Sequence, residues 1–195
     1  AYLMALGNYA EQDFVYEAFA LHTDHVRYQD LQARQLIFCE GPQAQYNPWF
    51  NNLPFRLVKG EMLSVVLQKP LDVIYNRPVF VAPRTTYQAV VGATYDWCDL
   101  SLSSTPRARQ TLETQLQRTF KLPYTVQDQW AGIRPATFDR RPLIGLHPKY
   151  PQLGLFNGLG TKGVSLAPHF AQVFVDHLLS KTVLPREVKL NRKIK

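Results

Sequence analysis

The stretch that most constrains this chain is an apolar run at 153–156 followed by Gly158-Leu159-Gly160-Thr161-Lys162-Gly163 and then an amphipathic run to residue 179. An apolar strand feeding glycines into a helix start requires a sheet with a helix packed beside it. Glycine lets the backbone approach a ligand closely, and the helix start aims free N–H groups and its dipole at negative charge. The segment is therefore a candidate anion or cofactor site. The competing reading is a helix entry that uses glycine for turn geometry alone. Gly158, Gly160 and Gly163 satisfy the G-x-G-x-x-G spacing. An ordinary dinucleotide fingerprint, however, opens a βαβ unit with an acidic residue about 20 positions on, and here one helix and a basic tail follow. A Walker A loop fails as well, because Val164 stands where lysine is required.

Upstream, residues 2–10 read as a short helix weakened by Gly7, and 14–21 as a strand. A second strand is expected around 25–28, a turn at 29–32, and an apolar strand at 34–39 stopped by Gly41-Pro42. His22 and His25 on a strand would point to opposite faces, which argues against a metal site. The aromatics of 47–54 should pack over an apolar surface. Residues 55–67 form a long strand interrupted at Gly60, the mark of a bulge or of a close backbone approach. Lys59 and Glu61 alternate with apolar neighbours and read either as solvent-facing or as lying near a ligand.

Segments 73–75, 78–83 and 87–95 read as antiparallel strands, the last two joined near 84–86. Thr105 is an N-cap with Pro106 as first helical residue, and Ala108, Leu112, Leu116 and Phe120 form that helix's core face. Arg107, Arg109 and Arg118 read as solvated. In the closing helix at 164–179 the apolar stripe is Val164, Ala167, Phe170 or Ala171, Phe174 and Leu178. Pro168 falls in its first turn, and His177 faces the C-terminal dipole.

A chain of 195 residues with 46% hydrophobic and 19% charged content is globular, with length for one domain or two small ones. The net charge of +7 would permit contact with nucleic acid or an anionic membrane. Much of the excess sits in Lys189, Arg192, Lys193 and Lys195, which read as a solvated end. Cys39 and Cys98 have no metal or redox spacing. No secretory leader pattern and no apolar run of about 18 residues occurs, so a cytoplasmic protein without a membrane partner is expected. No Ser–His–Asp set, carboxylate pair or Cys/His metal pattern emerges, which leaves hydrolytic and zinc chemistry without support.

Three further motifs occur in order with the glycine loop: Gly132-Ile133-Arg134-Pro135, Asp139-Arg140-Arg141-Pro142-Leu143-Ile144-Gly145 and Gly154-Leu155-Phe156-Asn157-Gly158. Together they resemble the C-terminal signature of the FAD-dependent oxidoreductases typified by D-amino-acid oxidase, glycine oxidase and sarcosine oxidase. The likeness extends over nearly the whole chain. RQLIFCEG at 34–41 resembles the family's strand and turn near the flavin, and 54–65 resembles its strand with a Lys-Gly-Glu element. Residues 81–84 and 91–94 resemble paired strands of its substrate domain. Asp139-Arg140-Arg141 departs from the family's Asp-Gly-Leu or Asp-Gly-Arg forms, which leaves the shape of that turn open.

The resemblance implies an α/β (α+β) fold: the C-terminal part of a FAD-binding domain plus a substrate domain built on a mixed or antiparallel sheet. It assigns 1–45 and 146–195 to the FAD-binding domain and 46–145 to the substrate domain. The N-terminal dinucleotide-binding βαβ of the same chain, roughly 150 residues, is expected to be missing. It implies FAD bound by Gly41, Gly158, Gly160, Thr161, Lys162 and Gly163, the last four near the flavin edge that becomes negative on reduction. Arg134 matches the arginine that clamps the substrate carboxylate, against the alternative of a buried tie between domains, and Arg84 and Tyr95 are candidates for the same pocket. The implied reaction is oxidation of the C–N bond of a small-molecule amine or amino acid. The glycine loop with its following Ala167-Pro168 also resembles the oxidase domain of a tRNA wobble-uridine-modifying enzyme, which makes tRNA an alternative partner. A further alternative is an isolated, catalytically incompetent domain.

Overall fold

The computed structural model describes residues 15–180 and 182–193, so the helix expected at 2–10 lies outside the described residues. Of the strand expected at 14–21 only 19–21 is extended, because Tyr16–Ala18 forms a 3-10 turn closed by the Ala18 N–H on the Val15 carbonyl. The first described strands, β1 (Phe19–Leu21), β2 (Val26–Tyr28) and β3 (Leu31–Ala33), form a small antiparallel meander. β3 takes residues 31 and 32 of the expected turn at 29–32, leaving Gln29 and Asp30 to make it. Gln29 adopts φ +55, and β2 and β3 pair directly from Tyr28 to Leu31. The tight turn between β1 and β2 stacks His22 on His25, ring centroids 4.3 Å apart. That corrects their expected separation on opposite faces: the chain reverses between them.

β4 (Leu36–Phe38) leads into Gly41, and the aromatic loop follows. Phe50 and the half-buried Trp49 pack with Phe38, Val26 and Leu153, as the composition of that loop suggested. β5 (Val58–Leu67), β6 (Tyr75–Asn76), β7 (Phe80–Thr85), β8 (Gln88–Gly92) and β9 (Tyr124–Arg134) form a five-stranded antiparallel sheet in the order β6-β7-β8-β5-β9. β6 is shorter and later than the strand expected at 73–75, whose Val73 and Ile74 are exposed.

α1 (Pro106–Thr119) crosses one face of this sheet. Thr105 caps it, its hydroxyl accepting the Ala108 N–H at 3.2 Å. Leu112, Leu116 and Phe120 meet Leu63, Val65 and Leu67 of β5 and Val81, Ala89 and Val91 of the neighbouring strands in one core. The alternation of β5 thus continues through Gly60 without a break. The irregularity in its pairing lies instead between Ser64 and Val65, where β9 carries the additional residue Gln127.

Lys59 and Glu61 are not solvent-facing. Both are buried, on the α1 side of the sheet, and tie β5 to the loop that enters α1. The Lys59 ammonium donates to Asp99 at 2.5 Å and to the Ser103 carbonyl at 2.6 Å. Glu61 accepts from the Thr105 N–H and hydroxyl, each at 2.8 Å, and from the Gln129 amide at 2.7 Å. A buried charge is tolerated when hydrogen bonds replace its water, and here each has several.

β10 (Leu143–Leu146) and β11 (Leu153–Asn157) join β4 in a mixed sheet, β10-β11 antiparallel and β11-β4 parallel. The boundary expected between 145 and 146 falls inside β10. α2 (Gly163–Ser180) packs Phe174 against Ile144, Leu184 and Val188. Val164, expected on its apolar stripe, is 97% exposed; the α2 residues packed into that core begin at Phe170. The basic tail is docked, not solvated, up to Arg192. Lys189 bridges to Ile144 and Arg192 forms a bidentate pair with Asp139.

Candidate functional site

β4 and β11 run parallel, so their C-terminal ends open at the same edge of the mixed sheet, the edge where open α/β sheets bind ligands. Buried Asn157 joins the two loops there. Its amide donates to the Gly41 carbonyl at 2.8 Å and its carbonyl accepts the Gly158 N–H at 2.8 Å. Gly41 (φ +60) therefore belongs to the same edge as the glycine loop.

The loop is pressed against the turn that follows β9. Pro135 removes a ladder donor and ends the strand, and its carbonyl receives the Gly160 N–H at 3.2 Å. Gly158 has φ +75, and a β-carbon there would stand 2.9 Å from Thr137 Cγ2 and 3.1 Å from the Leu143 nitrogen. The space beside Gly158 is thus filled by the turn after β9 and the start of β10. Gly160 (φ +55), Thr161 and Lys162 instead face a cavity of about 750 Å³.

The opposite wall of that cavity comes from the five-stranded sheet and the loops at its end: Arg56 and Val58, Tyr95 and Trp97, and the turn from Ala136 to Phe138 with Arg140. Among the described residues three cations, Arg56, Arg140 and Lys162, line it, and no carboxylate does. The flanking acids are engaged elsewhere. Arg192 donates to both Asp139 oxygens, at 2.7 and 2.9 Å, and holds its carboxyl down at about 2. Lys59 similarly holds Asp99 at about 2.

Arg134 closes β9 opposite Val58, and its side chain lies across Gly60. A β-carbon at Gly60 would sit 2.0 Å from Nη1 and 2.1 Å from Nη2, so the close approach expected at this glycine is that of the guanidinium. Nη1 donates to the Thr94 carbonyl at 3.3 Å, and the group stacks 4.9 Å from the Tyr95 ring centroid. Burial pulls its pKa down. Among the described residues it has no carboxylate partner within ion-pair distance. Arg134 itself does not line the cavity; it stacks on Tyr95, which does.

The sequence-derived candidates thus separate into groups. Tyr95 comes together with Gly160, Thr161 and Lys162 around the cavity, and Arg134 joins them only through its contact with the Tyr95 ring. Gly41, Gly158 and Gly163 support the loop from outside the wall. Arg84 does not line this pocket: it is exposed near the β7–β8 turn, roughly 15–20 Å along the strand direction from Gly60 by the register of β7, β8 and β5. Arg56, Trp97, Phe138 and Arg140 belong to the wall without having been singled out by spacing. Arg140 alone carried a signal, standing in a turn where the resembling family has glycine.

Residues 10–177 match the FAD dependent oxidoreductase family, DAO. The chain belongs to that family. It is similar to the glycine oxidase of Bacillus subtilis, 33% identical over 141 residues covering 68% of this chain and 37% of that one. It is also similar to the bifunctional protein ThiO/ThiG of Synechocystis, 32% identical over 142 residues covering 68% and 22%. Among solved structures, glycine oxidase from Bacillus cereus superposes with a TM-score of 0.72 at 19% identity, over 91% of this chain and 52% of that one. Glycine oxidase from Geobacillus kaustophilus gives 0.70 at 22% identity, over 88% and 49%. The chain therefore spans about half the length of these solved structures and less of the curated relatives.

The residues present fit the family's cofactor. Gly160 brings bare backbone to the wall, Lys162 and the start of α2 supply positive potential, and no carboxylate opposes an anionic ring edge. Among the described residues no helix is long and apolar enough to cross a membrane, and no cluster of three or more His, Cys, Asp or Glu has metal-binding geometry.

Proposed function

We propose that the whole protein oxidises the C–N bond of an amine or amino acid, as a flavoenzyme of the glycine oxidase type. The observation that carries this reading is Arg134: a half-buried guanidinium with one acceptor at 3.3 Å and no carboxylate partner among the described residues. A cation already stripped of part of its water, with donors to spare, favours an incoming carboxylate in bidentate geometry. Gly60 gives it room and Tyr95 orients it. Bound FAD supplies the hydride acceptor. Lys162, with Gly160, Thr161 and Gly163 at the helix start, holds positive potential at the edge where negative charge grows on reduction. A wall with three cations and no carboxylate also disfavours the substrate's ammonium form. The neutral amine, whose lone pair assists departure of the hydride, is the form such a cavity selects.

In this reading the mixed sheet with α2 belongs to the FAD-binding part and the five-stranded sheet with α1 to the substrate part. The remainder of the FAD-binding part would come from chain preceding these residues, and this portion alone would bind FAD weakly. The protein would work in the cytoplasm, with O2 or an electron carrier regenerating the flavin. Nothing in the site's geometry favours a tRNA substrate.

The test is a visible absorption spectrum of the full-length protein, first aerobic and then anaerobic with a panel of amino acids. Flavin bands bleached by an amine substrate are expected. Absence of flavin bands after incubation with FAD would overturn the reading.

A further inference from the structure

We infer that the amine substrate carries a second anionic group, a carboxylate several bonds from the first, and that Arg56 and Arg140 receive it. This rests on the reading of the cavity as an amine-oxidation site, and it deepens that reading by naming the substrate class. The argument begins with the aromatic wall. Arg134 stacks on Tyr95 at 4.9 Å, Tyr95 on Trp97 at 6.1 Å, and Arg56 on Trp97 at 5.4 Å and Phe138 at 5.7 Å. Two guanidiniums thus flank one continuous ring surface. A guanidinium held by ring faces keeps its N–H fork free in the plane of the group, the geometry that grips a carboxylate. Among the described residues the Arg56 side chain has no hydrogen-bonded acid partner, while its backbone N–H is pinned to the Ala136 carbonyl at 2.7 Å.

Arg140 adds an independent observation. It adopts φ +58, a left-handed conformation unfavourable for a non-glycine residue, and it lines the cavity beside Phe138. The adjacent carboxylate does not neutralise it, because Asp139 is taken by Arg192. The rings between the cations are open to solvent, Tyr95 at 55%, Trp97 at 51% and Phe138 at 58%. Exposed rings set between unpaired cations make a wall suited to a short carbon chain with an anion at each end. Lys162 lies on the glycine-loop side, apart from this wall, and is left to the cofactor.

The experiment compares kcat/KM of the full-length holoenzyme for amino-dicarboxylates (aspartate, glutamate, iminodiacetate) with that for glycine and alanine. The expected result is at least a tenfold preference for one dicarboxylate, reduced tenfold or more by Arg56→Ala and by Arg140→Gly. A second readout is independent of turnover. Glutarate or succinate should raise the melting temperature more than acetate at equal ionic strength, and Arg56→Ala should abolish the difference. Arg56→Lys, which keeps the charge and loses the fork, should retain only part of the preference. Equal handling of mono- and dicarboxylates would overturn the inference. So would loss of flavin from Arg56→Ala with no change in substrate preference, since the cation would then serve the cofactor. If no amine bleaches the flavin while dicarboxylates still protect the protein through Arg56, the amine-oxidation reading fails and the anion subsite stands.

Discussion

Gly60→Ala separates the two roles open to Arg134. A β-carbon at Gly60 would stand 2.0, 2.1 and 2.3 Å from Nη1, Nη2 and Cζ of that residue. Non-bonded carbon contacts settle at about 3.5 Å or beyond, so the guanidinium must withdraw by more than an ångström. Because the clash is with the far end of a flexible side chain, the backbone ladder between β5 and β9 survives. The lost hydrogen bond to Thr94, long at 3.3 Å, costs about 1 kcal/mol, and the lost stacking on Tyr95 about 0.5–1 kcal/mol. Replacing a strand-interior glycine by alanine returns about 0.5–1 kcal/mol. The net destabilisation is therefore about 1 kcal/mol. If Arg134 clamps the substrate carboxylate, a displacement of that size costs about 100-fold in turnover, or about 2.7 kcal/mol on the barrier. Urea unfolding measures the first quantity, and anaerobic flavin reduction in the full-length protein measures the second. A kcat/KM within threefold of wild type would refute the clamp. A stability loss above about 3 kcal/mol would show instead that Arg134 is a structural tie.

Other consequences follow from the same geometry. Arg192 holds the folded-state pKa of Asp139 at about 2, below its ordinary 3.8, so this pair stabilises the fold fully above pH 4 and loses that contribution as pH falls to about 2. The stability gap between wild type and Arg192→Ala should close over that window in urea titrations at stepped pH; a gap that stays constant would remove Asp139 as its source. Leu112→Ala, at a position with no exposure in the α1–sheet core, should cost about 2–5 kcal/mol by the same assay, and a loss below 1 kcal/mol would contradict the packing described. In the full-length flavoprotein, Lys162→Met should move the two-electron flavin potential to more negative values by about 30 mV, the equivalent of about 1.4 kcal/mol. An unchanged potential would place Lys162 away from the flavin edge.

The elements that could be read in advance are those whose causes are local. The Thr105 cap, Pro106 and the fourfold spacing of Ala108, Leu112, Leu116 and Phe120 specify α1 within a few residues of chain. The strand, glycine loop and helix from β11 to α2 are equally local, as is the aromatic packing of the loop at 47–54. Where the reading went astray, the deciding partner was distant in sequence. Lys59 and Glu61 look like surface alternation until Asp99, Thr105 and Gln129 arrive from other segments to satisfy them. Val164 fits a helical stripe yet stands exposed among the described residues. The tail looks solvated until Asp139 meets Arg192.

The candidate site divides along the same line. Arg134 and the glycine loop were approachable from their motifs, because each sits in a distinctive local frame, whereas Tyr95 was approachable only from its position. Arg56, Trp97 and Phe138 carry no such frame, and Arg140 only a departure from the family's turn. Their meeting depends on the register that sets β9 against β5, on the turn after Pro135, and on the return of β10 and β11 beside β4. By itself the sequence determined the helices, the glycine-bearing helix entry and the family, since these rest on propensity, capping and motif order within short spans. Only the tertiary structure decided which charges are buried, which are left unpaired and which rings lie between them. Desolvation and pairing are properties of groups brought together across the whole chain.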